Sequence, residues 1–305
     1  MKKILIVTSD VPFVEGGHRT ISRGLKNALQ AAGYACEIWK TPQNRYGRQI
    51  SAYISTWLTD LELTGYGAPV DGVISLRYPS YAVRHPRHVC WLVHRMREYY
   101  DLWDSLKNKW GRRGRLKEGT RRFIIHRIDR RLLTKNVSRV FTISATVKER
   151  LQRWGGIPSE VLYPPPPDRP YRTDRYEPFL LAYSRLDALK RFDLMLEAFR
   201  RAGGDLKLKI AGEGPEKPRL EKMTEDFGLS GRVSFLGRIS ADELVDELAR
   251  CRGVFFAPFH EDLGFVTMEA FQSRKPVITA TDSGGPLEFV KDMETGLVAE
   301  PDPQA

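Results

Sequence analysis

Four consecutive prolines, Pro164 to Pro167, divide this chain more firmly than any other stretch of its sequence. Proline has no backbone N–H and its ring fixes φ, so a run of four can join neither a helix nor the middle of a sheet. It reads as a stiff connection. A chain of 305 residues is long enough to bury a separate core on each side of such a break. The expected division is a first domain at 1–163, a linker at 164–170 and a second domain at 171–305.

On both sides strand-like runs alternate with helical periods, the pattern of an α/β protein with parallel sheets. Lys3 to Ser9 reads as a buried strand and Asp10 to Gly17 as a loop ending in Gly16-Gly17. His18 to Ala32 then carries Ile21, Leu25, Ala28 and Leu29 at helical spacing, closed by Gly33. Strand, glycine loop and helix form a nucleotide-fold opening, but G-x-G-x-x-G is absent, which disfavours a dehydrogenase. The glycine pair is also what a tight turn alone would need. Further strands are expected at Tyr34–Lys40, Val70–Leu76, His88–Val93, Arg139–Ser144 and Glu160–Tyr163, while 41–69 shows no usable period. His94 falls at the carboxyl end of its strand, where ligand crevices of open α/β sheets lie. A hydrogen-bonded rim histidine would look the same.

The net charge of +11 is unevenly placed. Between Arg95 and Arg153 stand 18 Lys and Arg against 6 Asp and Glu, a surplus of 18 − 6 = +12. Such a patch seeks acid: nucleic acid, anionic lipid headgroups or a phosphorylated acceptor. Within it Trp103, Leu106 and Trp110 share one face, as in a basic helix lying in a membrane interface or in a plain solvated helix. No apolar run approaches 18 residues, and the start MKKILIVTSD is too short and strand-like for a signal peptide, so a cytoplasmic protein is expected. Cys36, Cys90 and Cys251 are an odd, widely spaced set and read as buried thiols.

In the second half, strands are expected at Phe179–Tyr183, Leu206–Ala211, Val233–Leu236 and Val254–Pro258. Helices are expected at Phe192–Ala202, Pro218–Phe227, Ala241–Cys251 and Phe265–Gln272. Glu261 and Glu269 are eight residues apart. On one helix they would differ by about 80° in azimuth and about 12 Å in rise. Gly264 favours Glu261 on a loop and Glu269 one turn inside the helix. The amides of Leu263, Gly264 and Phe265 then become donors of a helix N-terminus, a place that favours a phosphate. Two solvated glutamates at a helix start would show the same spacing.

Glu261-x7-Glu269, then Lys275-Pro276-Val277, Ser283-Gly284-Gly285-Pro286-x-Glu288 and Thr295-Gly296-Leu297, resembles the donor-site signature of retaining glycosyltransferases of the GT-B "group 1" family. Ser184-Arg185-x4-Lys190 resembles the same family's pyrophosphate-binding pair. The resemblance implies two Rossmann-like domains facing each other across a cleft. Arg185 and Lys190 would hold the donor diphosphate, Glu261 the sugar hydroxyls and Glu269 the ribose. It further places Gly16 and Gly17 near the diphosphate and acceptor, His94 near the donor sugar, Gly212 near the nucleoside, and Arg238 and Ile239 at the base. The implied activity moves a hexose-type sugar from a UDP- or GDP-sugar to a glycan or lipid-linked acceptor in cell-surface polysaccharide assembly. No further cofactor is implied, and no Asp-x-Asp metal motif is present. An epimerase or hydrolase of the same architecture remains open, as does a basic nucleic-acid-binding module. The family usually continues through further helices past the position of Ala305, so either a fragment or a short form is expected.

Overall fold

The computed structural model describes residues 1–10, 16–42 and 47–304. The chain divides between Pro165 and Pro166 into two compact units. The expected loop from Asp10 to Gly17 lies outside the described residues at 11–15.

Among the described residues the first unit carries six parallel strands: β1 (Lys3–Asp10), β2 (Ala35–Pro42), β3 (Gly72–Ser75), β4 (His88–Leu92), β5 (Arg139–Thr142) and β6 (Glu160–Val161), in the order β2-β1-β3-β4-β5-β6. Its helices are α1 (Gly17–Ala31), α2 (Gln49–Trp57), α3 (Trp103–Lys107), α4 (Arg112–Arg131) and α5 (Ala145–Arg153). The strand order reverses between β1 and β3, so the loops following those strands flank a crevice of the sheet. β3 is shorter than the apolar run around it: Val70 N donates to Glu62 O instead, and its side chain packs with Leu61, Val73 and Val83. α2 fills part of the stretch that shows no period in the sequence. The basic region is not one helix: a turn at Arg97–Tyr99 and the short α3 precede α4, and a wider helical turn at Leu132–Asn136 ends it.

The second unit has strands β7 (Phe179–Tyr183), β8 (Lys207–Ala211), β9 (Val233–Gly237), β10 (Gly253–Phe255), β11 (Val277–Ala280) and β12 (Gly296–Ala299). They too are parallel, in the order β12-β11-β10-β7-β8-β9. Read from its far edge, this is the doubly wound order in which the fourth strand returns beside the first. Helices α6 (Phe192–Ala202), α7 (Lys217–Asp226), α8 (Ala241–Arg250) and α9 (Phe265–Gln272) cover the sheet. β7 is central, and all five of its residues are buried. Its side chains alternate between faces: Leu180 and Ala182 join the core with Met195, Leu196, Phe199 and Leu220, whereas Phe179, Leu181 and Tyr183 join Leu244, Leu248 and Ala270. This alternation later decides where Tyr183 points. β10 stops at Phe255, so Phe256–Pro258, expected as strand, forms a buried loop beyond it.

The segment after the prolines lies along the second unit. Asp174 N donates to Ala249 O, Thr173 Oγ1 to Ser273 O at 2.6 Å, Tyr176 Oη to Arg274 O and Lys275 Nζ to Arg175 O at 2.7 Å. Among the described residues no helix is long and apolar enough to cross a membrane. All three cysteines are free and buried.

Candidate functional site

In the second sheet the strand order reverses between β7 and β10. The loops after these two strands carry the residues singled out above. Beyond β7 the chain makes a short turn, Ala188–Lys190, capped by the Asp187 carboxylate, which accepts from Leu189 N at 3.1 Å. Lys190 ends this turn with its side chain buried, and its Nζ donates to Glu261 Oε2 at 2.6 Å. The ammonium also sits 5.6 Å from the centre of the Phe256 ring. Two residues 71 apart in sequence thus meet at the switch point of the sheet.

Backbone bonds fix the loop that carries Glu261. Phe259 N donates to Leu189 O, Glu261 N to Ser283 O and Gly285 N to Glu261 O, at 2.7, 2.7 and 2.9 Å. Gly284 has φ +75°, and a Cβ there would stand 2.6 Å from Glu261 O, so only glycine lets the two loops touch. Arg191, the residue after Lys190, adopts φ 51° and spreads its guanidinium over Asp282, Ala257 O and Pro258 O, with bonds between 2.6 and 3.0 Å. It ties the start of α6 to the ends of β10 and β11. Neither Arg191 nor Asp282 stood out in the sequence, although the Lys190-Arg191 doublet was a signal.

Arg185 does not join Lys190 at Glu261. Its side chain is mostly exposed and pairs with Asp187 at 3.2 Å. The convergence expected of the two cations is therefore limited to flanking one turn, because Asp187 both caps that turn and holds Arg185.

Glu269 is set apart as well. It lies one turn into α9, only 4% exposed, with its carboxylate already engaged. Oε1 accepts from the Arg169 guanidinium and from Tyr171 Oη at 3.0 Å, and Oε2 accepts from Tyr183 Oη at 2.9 Å. Burial raises the Glu269 pKa above the ordinary carboxylate value, and Arg169, Tyr183 and Tyr171 offset only part of that rise. Burial beside this carboxylate also pushes the Tyr183 phenol far up. Sequence reasoning missed all three donors: Tyr183 hid in an apolar strand, Arg169 in the apparent linker and Tyr171 at the first position after it.

α9 opens at Phe265 behind the N-cap residue Gly264, which has φ 85° and supplies no side-chain cap to the first turn, and Leu263 precedes that cap. Leu263 is buried and Phe265 half-buried. Gly212, after β8, has φ +135° and donates to Gly237 O at 2.7 Å. A Cβ on it would lie 1.9 Å from Ser184 O, so the loop after β8 presses directly on the loop after β7. Arg238 is exposed past β9, and Ile239 is half-buried against the core of that sheet face.

His94 belongs to the first unit, beyond β4. Its Nδ1 lies 2.7 Å from Arg95 O, and it lines a cavity of about 20 Å³ with Arg97, Tyr100, Asp101 and Arg150. Gly16 caps α1 in an extended conformation open to any residue, and Gly17 opens the helix. At the carboxyl end of β1, Asp10 accepts from Arg19 at 2.9 Å and Lys40 at 2.7 Å. His18 stands 3.6 Å from the same carboxylate, and burial with Arg77 nearby lowers its pKa to about 4, which keeps the imidazole neutral. His18 also escaped notice in the sequence. Among the described residues no group of three or more His, Cys, Asp and Glu is placed to hold a metal ion.

Residues 168–305 match the family described as Glycosyl transferases group 1. The chain is 32% identical over 127 residues to the alpha-D-kanosaminyltransferase of Streptomyces kanamyceticus, covering 41% of this chain and 33% of that protein. It is 31% identical over 187 residues to the human alpha-1,3/1,6-mannosyltransferase ALG2, covering 52% and 45%. The matches thus span less than half the length of these relatives. Among solved structures, sucrose-phosphate synthase from Thermosynechococcus elongatus superposes with a TM-score of 0.74 at 18% identity, covering 100% of this chain and 88% of that one. WaaG, a glycosyltransferase involved in lipopolysaccharide biosynthesis, superposes with a TM-score of 0.68 at 16% identity, covering 99% and 86%. Anabaena HepE in complex with UDP and glucose gives 0.67 at 17%, covering 100% and 87%.

Proposed function

We propose, for a chain of GT-B fold whose second unit belongs to the Glycosyl transferases group 1 family, a metal-independent glycosyl transfer that retains anomeric configuration. The donor is a nucleotide-diphosphate hexose with UDP or GDP as its nucleotide, and no further cofactor takes part. The acceptor is a glycan or a lipid-linked sugar of cell-surface polysaccharide assembly, and the reaction runs at the cytoplasmic side. The relatives support this reading by name: they include mannosyltransferases and a lipopolysaccharide glycosyltransferase, and one solved neighbour holds UDP and glucose.

The observation that carries the proposal is the Lys190–Glu261 contact at the switch point of the second sheet. A diphosphate leaves a sugar readily once its growing charge is compensated, so the site needs a fixed cation more than a strong acid. Lys190 is such a cation, buried and aimed by Glu261. Arg185, exposed on the other side of the same turn, can reach a phosphate by releasing Asp187. The uncapped start of α9 adds amide donors. Glu261 then has one oxygen for Lys190 and one for a sugar hydroxyl. Glu269 already takes three donors on a group with about four acceptor positions. About one acceptor position is left for a ribose hydroxyl, and exchange of Arg169 or Tyr171 would open another. His94, Gly16 and Gly17, which the family resemblance also assigns to substrate binding, belong to the first unit.

The test is Lys190→Ala, with labelled UDP- and GDP-hexoses, chosen by their thermal stabilisation of the native protein. Loss of one preorganised charge partner is worth about 100- to 1,000-fold in kcat. An unchanged turnover in Lys190→Ala, or free sugar as the sole product with every acceptor tried, refutes the assignment.

A further inference from the structure

Two helices of the first unit carry their polarity reversed. α4 has two carboxylates, and both point inward. Glu118 accepts from Tyr99 Oη at 2.9 Å and pairs with Arg121. Asp129, with no exposed surface, accepts from the hydroxyls of Tyr53, Tyr81 and Tyr100. Apart from Thr120, the side chains that α4 shows to solvent are therefore cationic or apolar. Arg112, Arg113, Lys117, Arg127, Arg130 and Arg131 are exposed there, with Leu116, Phe123 and Ile124 between them at 75%, 57% and 42%. These three recur at i, i+7 and i+8, the spacing of one helical face.

α2 repeats the inversion. Its buried residues are Gln49, Ala52, Tyr53 and Thr56, while Ile50, Ile54 and Trp57 form an exposed stripe at i, i+4 and i+7. The Tyr53–Asp129 bond ties it to α4. By contrast, the tryptophans that the sequence offered as an interfacial face are occupied with one another. Trp103 stacks on Tyr99, lies 5.6 Å from Trp110 and is covered by the Arg122 guanidinium at 5.1 Å.

We propose that the outer face of α4, with α2 as its neighbour, docks the first unit on a bilayer surface rich in anionic lipid. The charge selects an anionic partner. The large apolar side chains select among anionic partners. A polynucleotide offers nothing to the aliphatic Leu116, Ile124, Ile50 and Ile54, whereas the headgroup–acyl boundary of a bilayer takes up apolar side chains flanked by cations. The tyrosine-bound Asp129 holds α4 with this face outward. The inference does not depend on the proposed transfer reaction, since docking needs no donor sugar.

The experiment is co-sedimentation of the full chain with phosphatidylcholine vesicles, with and without phosphatidylglycerol. Partition onto the anionic vesicles should exceed that onto neutral ones by on the order of tenfold or more, and fall with salt. Phe123→Ser with Ile124→Ser, which alters only exposed side chains, should reduce partition on the order of tenfold at an unchanged thermal melt. Leu116→Ser serves the same purpose should the double variant melt early. Equal partition onto both vesicle types, or onto neither, overturns the proposal. So does a serine variant that binds vesicles like the parent while Arg127→Gln with Arg130→Gln abolishes binding to vesicles and heparin alike, since that pattern marks a polyanion site.

Discussion

The three donors around Glu269 make Tyr183→Phe an informative perturbation. The ring stays in its apolar place between α8 and α9, so only the hydroxyl is lost. Among the described donors, that hydroxyl alone serves Oε2, while Oε1 keeps Arg169 and Tyr171. A hydrogen bond to a charged partner contributes about 1.5–3 kcal/mol, and in a group 4% exposed little water replaces it. Spread over the second unit, Pro166–Ala305, a loss of ~2 kcal/mol lowers its melting temperature by roughly 5–8 °C. The pH dependence has a definite sign. Burial raises the Glu269 pKa above its unfolded value, so the folded unit holds this proton more tightly, and the site's contribution falls as pH rises beyond the ordinary carboxylate range. Tyr183 stabilises the ionised form. The Tyr183→Phe deficit should therefore grow from mildly acidic to mildly alkaline pH. In a Glu269→Gln background the same change removes only a neutral bond, and the deficit should shrink to about 1 kcal/mol. Calorimetric melts of the four proteins across pH give the answer. A Tyr183→Phe melt unchanged at high pH, or an equal deficit in both backgrounds, refutes this account of the Glu269 cluster.

Gly212→Ala puts a Cβ 1.9 Å from Ser184 O at φ +135°, so it should cost more than about 4 kcal/mol and be seen as loss of the cooperative melt of the second unit. For Asp10, burial raises the carboxyl pKa, but the bonds and charges of Lys40 and Arg19 outweigh it and hold the net value far below normal. That stabilisation is present above the ordinary carboxylate range and lost as pH falls below it. Asp10→Asn should therefore melt earlier at neutral pH, with the gap closing in acid. A gap that widens in acid would contradict the assignment.

How much of this was legible in the sequence depended on whether a side chain obeyed its local pattern. β7 was readable because a central parallel strand buries both faces, and FLLAY offers an apolar residue at every position. That uniformity also hid Tyr183, whose hydroxyl serves a carboxylate 86 residues away. Lys190 and Glu261 could be singled out from the motif they resemble. The contact between them depends on strand order, which fixes β7 beside β10 and has no local signature. Arg185 matched its motif equally well, yet a nearby partner, Asp187, holds it aside.

α2 and α4 failed the reading for the opposite reason. A periodic search looks for an apolar inward face, and here the inward faces carry Gln49, Tyr53, Thr56, Glu118 and Asp129. Three phenols on one carboxylate leave no charge unsolvated at the centre of that cluster, which makes the arrangement tolerable but not cheap. An apolar core of the same volume would be simpler to build and would turn Leu116, Phe123 and Ile124 inward. A fold that spends its polar groups inside and leaves leucine, phenylalanine and isoleucine outside among arginines breaks patterning twice on one element. Such double departures are expected where the outer surface has a use, and vesicle binding by the outer face of α4 tests that use directly.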